Sequence, residues 1–122
     1  MASSRLTLPR HLSPNLKIWL DWDGVFLMGP RYLRFLDAVA RTGTIRAAGR
    51  RVGWSYRTCL NRIREMERVL GTRVLATTRG GRSGGGGARL TPEARRLVSV
   101  FSRWQRDVER HSRAAFQRMV RR

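Results

Sequence analysis

Arg57, Thr58, Asn61, Arg64 and Arg68 fall on one side of the stretch from Ser55 to Leu70 when it is wound as a helix, with Arg62 on the flank. Their side chains match the hydrogen-bonding edges of base pairs. Arginine pairs bidentately with guanine, asparagine with adenine, and the threonine methyl meets that of thymine. The other side repeats Tyr56, Cys59, Leu60, Ile63, Met66 and Leu70 at three- and four-residue spacing, which is one apolar stripe. A helix held by its apolar side and offering such a polar side suits the major groove of a duplex.

The residues just upstream are those needed to hold it there. Thr44 follows Gly43 as a helix N-cap, and Ile45, Ala47, Ala48 and Val52 give a compact apolar face. Gly53 can adopt the left-handed conformation that ends this helix, and Ser55 caps the next. The pattern predicts a helix-turn-helix with Ser55–Leu70 as its recognition helix. Arg46, Arg50 and Arg51 on the first of the two helices would neutralise phosphates.

The composition points the same way. A chain of 122 residues with a formal charge of +18 calls for a polyanionic partner. All of its 26 basic residues except Lys17 are arginine, a bias that a G+C-rich genome also produces. The charge is therefore compatible with an alternative, an architectural DNA- or RNA-binding protein indifferent to sequence. The lone Cys59 excludes a disulfide framework and lies on the apolar stripe, where a buried thiol is expected. His11 and His111 have no metal-binding companions, so no metal or cofactor is expected. Eight carboxylates, mostly beside arginines, assemble no nucleophile–base pair, which argues against an enzyme. No apolar run approaches the roughly 20 residues of a membrane span, and the N-terminus lacks the apolar core of a secretory signal. A cytoplasmic location is expected.

Residues 1–14 mix Ser, Pro, Arg and His without periodicity and are expected to form a mobile basic tail, with a DNA-contacting arm as the alternative. Leu16, Ile18, Leu20 and Trp22 alternate with Lys17, Trp19 and Asp21 as in a half-buried strand. Asp23-Gly24 is a hairpin turn, and Val25 to Met28 would return beside that strand. A lone hairpin is marginal in water, so this one should lie on the helices or on a second chain, with Trp19 facing the partner. Pro30 opens a helix whose apolar face is Tyr32, Leu33, Leu36, Val39 and Ala40. Past Gly71, a strand through Val74, Leu75 and Ala76 leads into the glycine cluster Arg79–Leu90. No Gly-Lys-Ser or Gly-Lys-Thr closes that cluster, which argues against a nucleotide loop. It fits a slim hairpin wing carrying Arg79, Arg82 and Arg89 toward backbone or a narrow minor groove, with a disordered linker as the alternative. Thr91-Pro92-Glu93 starts a final helix whose seam is Leu97, Phe101, Trp104, Val108, His111, Ala115 and Met119. Such a helix is too long for its own domain to cover, so antiparallel pairing in a homodimer on a palindromic site is expected. The alternative is that only Leu97 to Val108 packs, on its own domain. The fold class is thus mainly α with small β: a tail (1–14), a winged helix-turn-helix domain with an N-terminal hairpin (15–90), and a long dimerisation helix (91–122).

These motifs resemble a known family. F-L-D-A-V-A-R-T-G-T-I-R-A-A-G-R-R-V (Phe35–Val52) and R-E-M-E-R-V-L-G-T-R-V-L, ending at Leu75, look like LysR-type regulators. W-S-Y-R-T from Trp54 and the glycine wing Gly80–Thr91 are closer to the N-terminal DNA-binding domain of ModE-type molybdate-responsive regulators. The resemblance covers about Leu16 to Val120. It implies a dimeric winged helix-turn-helix that controls transcription, often of molybdate transport or molybdoenzyme genes. It places DNA contacts on Ser55, Tyr56, Arg57, Thr58, Asn61 and Arg62, with Arg79 and Arg82 beside them. Thr44 and Arg46 complete the candidate DNA-binding set, and Trp19 joins Leu97, Phe101, Trp104, Val108, His111 and Ala115 as the candidate dimer interface. In two-domain members an oxyanion-binding region follows the long helix. The present sequence stops at Arg122, so no molybdate binding is expected of this chain alone.

Overall fold

The computed structural model describes residues 7–79 and 86–121. In chain order they form α1 (Leu8–His11), β1 (Leu20–Trp22), β2 (Val25–Met28), α2 (Pro30–Thr42), α3 (Ile45–Val52), α4 (Tyr56–Leu70), β3 (Leu75–Thr78), β4 (Gly87–Leu90) and α5 (Pro92–Val120). The expected architecture is present: two antiparallel hairpins, β1–β2 and β3–β4, flank a three-helix core that α5 extends.

The helix ends carry their expected chemistry. The Thr44 hydroxyl oxygen accepts from the Ala47 amide at 3.1 Å, that of Ser55 from Thr58 at 3.1 Å, and that of Thr91 from Ala94 at 3.2 Å. Each satisfies a backbone donor that the first helical turn cannot. Gly43, Gly53 and Gly71 end α2, α3 and α4 at φ of 79°, 79° and 75°. Asp23 and Gly24 both take positive φ, 48° and 81°, as a tight two-residue hairpin requires.

The core gathers Phe35, Leu36 and Val39 from α2, Ala48 from α3, Cys59, Ile63 and Met66 from α4, and Phe101 from α5. Met28, Leu75 and Leu90 close it from the hairpins. Burial pushes the Cys59 thiol above its ordinary pKa, which keeps it protonated and unreactive. The half-buried Glu67 joins α4 to β3, its carboxylate accepting from the Val74 amide at 2.9 Å while Arg73 stands 3.5 Å away.

Several expectations are corrected. The first strand begins at Leu20, not near Leu16, because β2 has only four residues before Gly29-Pro30 and a register irregularity falls between Leu20 and Asp21. Leu16 and Trp22, expected on the buried side, are exposed. In α2, Ala40 is exposed and Phe35 and Ala38 are buried, since the helix is covered on more than one side. One helical turn, α1, forms within the stretch read as a tail and lies against α5. Phe101 does not face outward from α5. It is fully buried in this chain's own core, so it cannot serve a partner surface.

Helix α3 crosses α4 at Gly49. A Cβ built there would stand 2.5 Å from the Cys59 Sγ and 2.9 Å from the Trp54 carbonyl oxygen. The sulfur can turn aside, but the carbonyl is backbone and cannot. Gly49→Ala is therefore expected to lower stability by about 1–3 kcal/mol in urea unfolding, with partial recovery when Cys59→Ala is added. An unchanged unfolding midpoint in Gly49→Ala would show that the crossing tolerates a side chain.

Candidate nucleic-acid interface

The face of α4 that points away from the core carries Arg57, Asn61, Arg64 and Arg68, all exposed. Its other face buries Cys59, Ile63 and Met66, so the middle of the helix is gripped along one side. Arg57 and Asn61 are one turn apart, about 6 Å along the axis, which compares with base steps of about 3.4 Å. Arg62, on the flank, is half-buried and paired with Glu65 at 3.3 Å.

Tyr56 departs from the expected apolar stripe. It is 41% exposed, and the Arg46 guanidinium lies over its ring at 4.1 Å from the centroid. The pair sits in a groove of about 480 Å³ between the start of α3, the start of α4 and the loop end of the β3–β4 hairpin, at Thr78 and Gly87. Thr44 and Arg50 line the same groove, so four basic or polar side chains from three turns of chain converge there. The hairpin is fixed beside them by the Ala88 amide, which donates to the Gly43 carbonyl at 2.8 Å. Thr77 and Thr78 also line the groove, a role sequence reading did not assign. The one hint was their place directly before the glycine wing. Strand pairing sets Thr78 opposite Gly87, whose amide donates to the Thr78 hydroxyl at 3.1 Å.

Ser55 and Thr58 have hydroxyls already engaged. The Ser55 oxygen accepts from the Thr58 amide, and its own proton is directed at the Thr58 oxygen 3.0 Å away. Thr58 itself is half-buried. Arg79 is exposed at the end of β3, whereas Arg82 lies outside the described residues. Of the second candidate surface, Trp19 is 54% and Trp104 39% exposed, Leu97, Val108 and Ala115 are half-buried, and His111 is exposed. The His111 Nδ1 lies 2.8 Å from the Asp107 carbonyl of its own helix.

Two hairpins around three helices, with a capped and outward-facing third helix beside a β3–β4 wing, define a winged helix-turn-helix. The family model of bacterial regulatory helix-turn-helix proteins, lysR family, matches residues 30–95. The chain belongs to that family. It is 35% identical over 95 residues to the molybdenum transport protein ModE of Herbaspirillum seropedicae, across 78% of this chain and 33% of that protein. It is also 38% identical over 74 residues to the molybdenum-pterin-binding protein MopB of Rhodobacter capsulatus, across 61% of this chain and 27% of the relative. The chain thus spans a third or less of the length of these relatives. Among solved structures, the crystal structure of a CbnR_DBD-DNA complex superposes with a TM-score of 0.55 at 25% identity. The match covers 75% of this chain and 97% of that one. Among the described residues no helix is long and apolar enough to cross a membrane.

Since the Ser55 hydroxyl is spent on capping, Ser55→Ala is expected to cost about 1 kcal/mol of stability in chemical denaturation. Ser55→Asp, which caps as well, should keep the stability yet weaken duplex binding by placing a negative charge at the start of α4. Wild-type duplex affinity in Ser55→Asp would move this helix start away from the phosphates.

Proposed function

We propose that this chain is a sequence-specific DNA-binding regulator of transcription that acts as a homodimer on a palindromic site, and that it has no catalytic role. The observation that carries this reading is the exposed Arg57 and Asn61 on a helix whose opposite face is buried, set beside the Arg46–Tyr56 groove. Arg57, Asn61 and the neighbouring Thr58 and Arg62 are assigned to the bases and their flanks, and Arg46, Arg50 and the wing arginines Arg79 and Arg82 to phosphates. The similar CbnR domain was solved as a complex with DNA, which supports the duplex as the partner.

The homodimer rests on α5 and on Trp19. The helix runs 29 residues, about 44 Å; α2, β4 and the short α1 pack against it, and Ala94 and Phe101 are its buried residues. Trp104 is exposed, Met119 is 71% exposed, and both continue the seam that Leu97 begins. Leu97, Trp104, Val108, His111 and Ala115 are assigned to the interface, without Phe101. The relatives are named a molybdenum transport protein and a molybdenum-pterin-binding protein, which supports a link of the regulated genes to molybdenum. A cytoplasmic site of action follows from that reading.

Two measurements test this reading. Arg57→Ala is expected to cost about 1–3 kcal/mol on the preferred duplex and little on a scrambled one. An equal loss on both would leave Arg57 as a backbone contact and favour a sequence-indifferent binder. In sedimentation equilibrium the wild type should be dimeric and Trp104→Glu shifted toward monomer. A wild type that stays monomeric would contradict the dimer.

A further inference from the structure

Resting on the DNA-binding reading, we infer that Tyr56 is a positioning residue that acts through Arg46, holding its guanidinium ready for a backbone phosphate in the groove between α3, α4 and the wing. An exposed arginine on a short helix ordinarily samples many rotamers, and ordering it on binding costs conformational freedom. Here the guanidinium carbon of Arg46 lies 4.1 Å from the centre of the Tyr56 ring, within the range where the negative face of the ring attracts a cation. The two residues come from different helices, Arg46 from the first turn of α3 and Tyr56 from the first position of α4. Their contact therefore depends on the crossing at Gly49 and not on local sequence.

The groove gives the contact its purpose. Thr44, Arg46, Arg50, Tyr56 and Thr78 all line it, with Leu60 of α4 on its wall. The charge of Arg46 stays free, because an aromatic ring holds a guanidinium without neutralising it, unlike a carboxylate. A cation held this way arrives at the phosphate already oriented, which saves part of the ordering cost. The partner is identified by charge and shape: a phosphodiester running past the start of α3, reached whatever the base sequence.

The test is a double-mutant cycle on duplex affinity with Arg46→Ala, Tyr56→Leu and the pair, together with Tyr56→Phe. Tyr56→Leu is expected to weaken binding roughly two- to five-fold, on the preferred and scrambled duplexes alike. It should have no further effect once Arg46 is alanine, and Tyr56→Phe should bind as the wild type does. The salt dependence should fall with Arg46→Ala and remain with Tyr56→Leu, since only the former removes a cation. In the absence of DNA, the Arg46 side-chain protons should show an upfield ring-current shift that Tyr56→Leu abolishes. Independent, multiplicative losses would overturn the inference, as would a Tyr56→Phe protein as weak as Tyr56→Leu, which would make the hydroxyl itself the contact. Wild-type protein that binds no duplex would instead defeat the DNA-binding reading, with the ring-current shift still reporting the contact.

Discussion

The whole display depends on how closely α3 can approach α4. Their crossing passes over Gly49, where a single added carbon would collide with the Trp54 carbonyl and the Cys59 sulfur. Close approach lets Cys59, Ile63 and Met66 share one core with Ala48 and α2, and so commits one face of α4 to the interior. The other face is then exposed by necessity. Trp54, in the turn between the helices, packs edge-on against Tyr32 at 5.3 Å and tilted against Phe35 at 5.2 Å, which fixes the angle of the turn from the α2 side. The same crossing brings Arg46 over Tyr56.

A second constraint joins the wing to this pair. The Ala88 amide bonds to the Gly43 carbonyl, the residue that ends α2 immediately before the Thr44 cap. The loop end of β3–β4 is thereby tied to the start of α3, beside the groove. At the other end of the hairpin the Thr91 hydroxyl donates to the Arg73 carbonyl at 2.8 Å while capping α5, so wing and long helix share an anchor. The groove residues and the exposed face of α4 are thus neighbouring parts of one tied frame.

Much of this was legible in the sequence wherever local chemistry decides structure. The caps at Thr44, Ser55 and Thr91, the left-handed glycines and the Asp23-Gly24 turn all signal through one or two residues. The apolar stripe of α4 was legible from its period. What escaped were consequences of tertiary packing. Tyr56 fits the stripe by spacing, yet it sits at the first position of the helix, beyond the edge of the core, and so meets Arg46 instead. Phe101 fits a seam by spacing too, but the docked first turns of α5 turn it inward. Leu16 alternates correctly for a strand that β2 is too short to pair, whereas Trp22 is paired with Val25 but stands at the turn end of the hairpin, away from the core. Thr77 and Thr78 carry no signal of their own, because their place in the groove is set by the register of β3 on β4.

The central claim is that paired copies of α4 read base edges through Arg57 and Asn61. It is tested most directly by selecting bound duplexes from a random library and footprinting the winner. Selection is predicted to converge on a palindrome whose half-sites are protected in the major groove, about one helical turn or a small multiple apart. Bound sequences no different from the input library, or a footprint lacking two-fold symmetry, would contradict it.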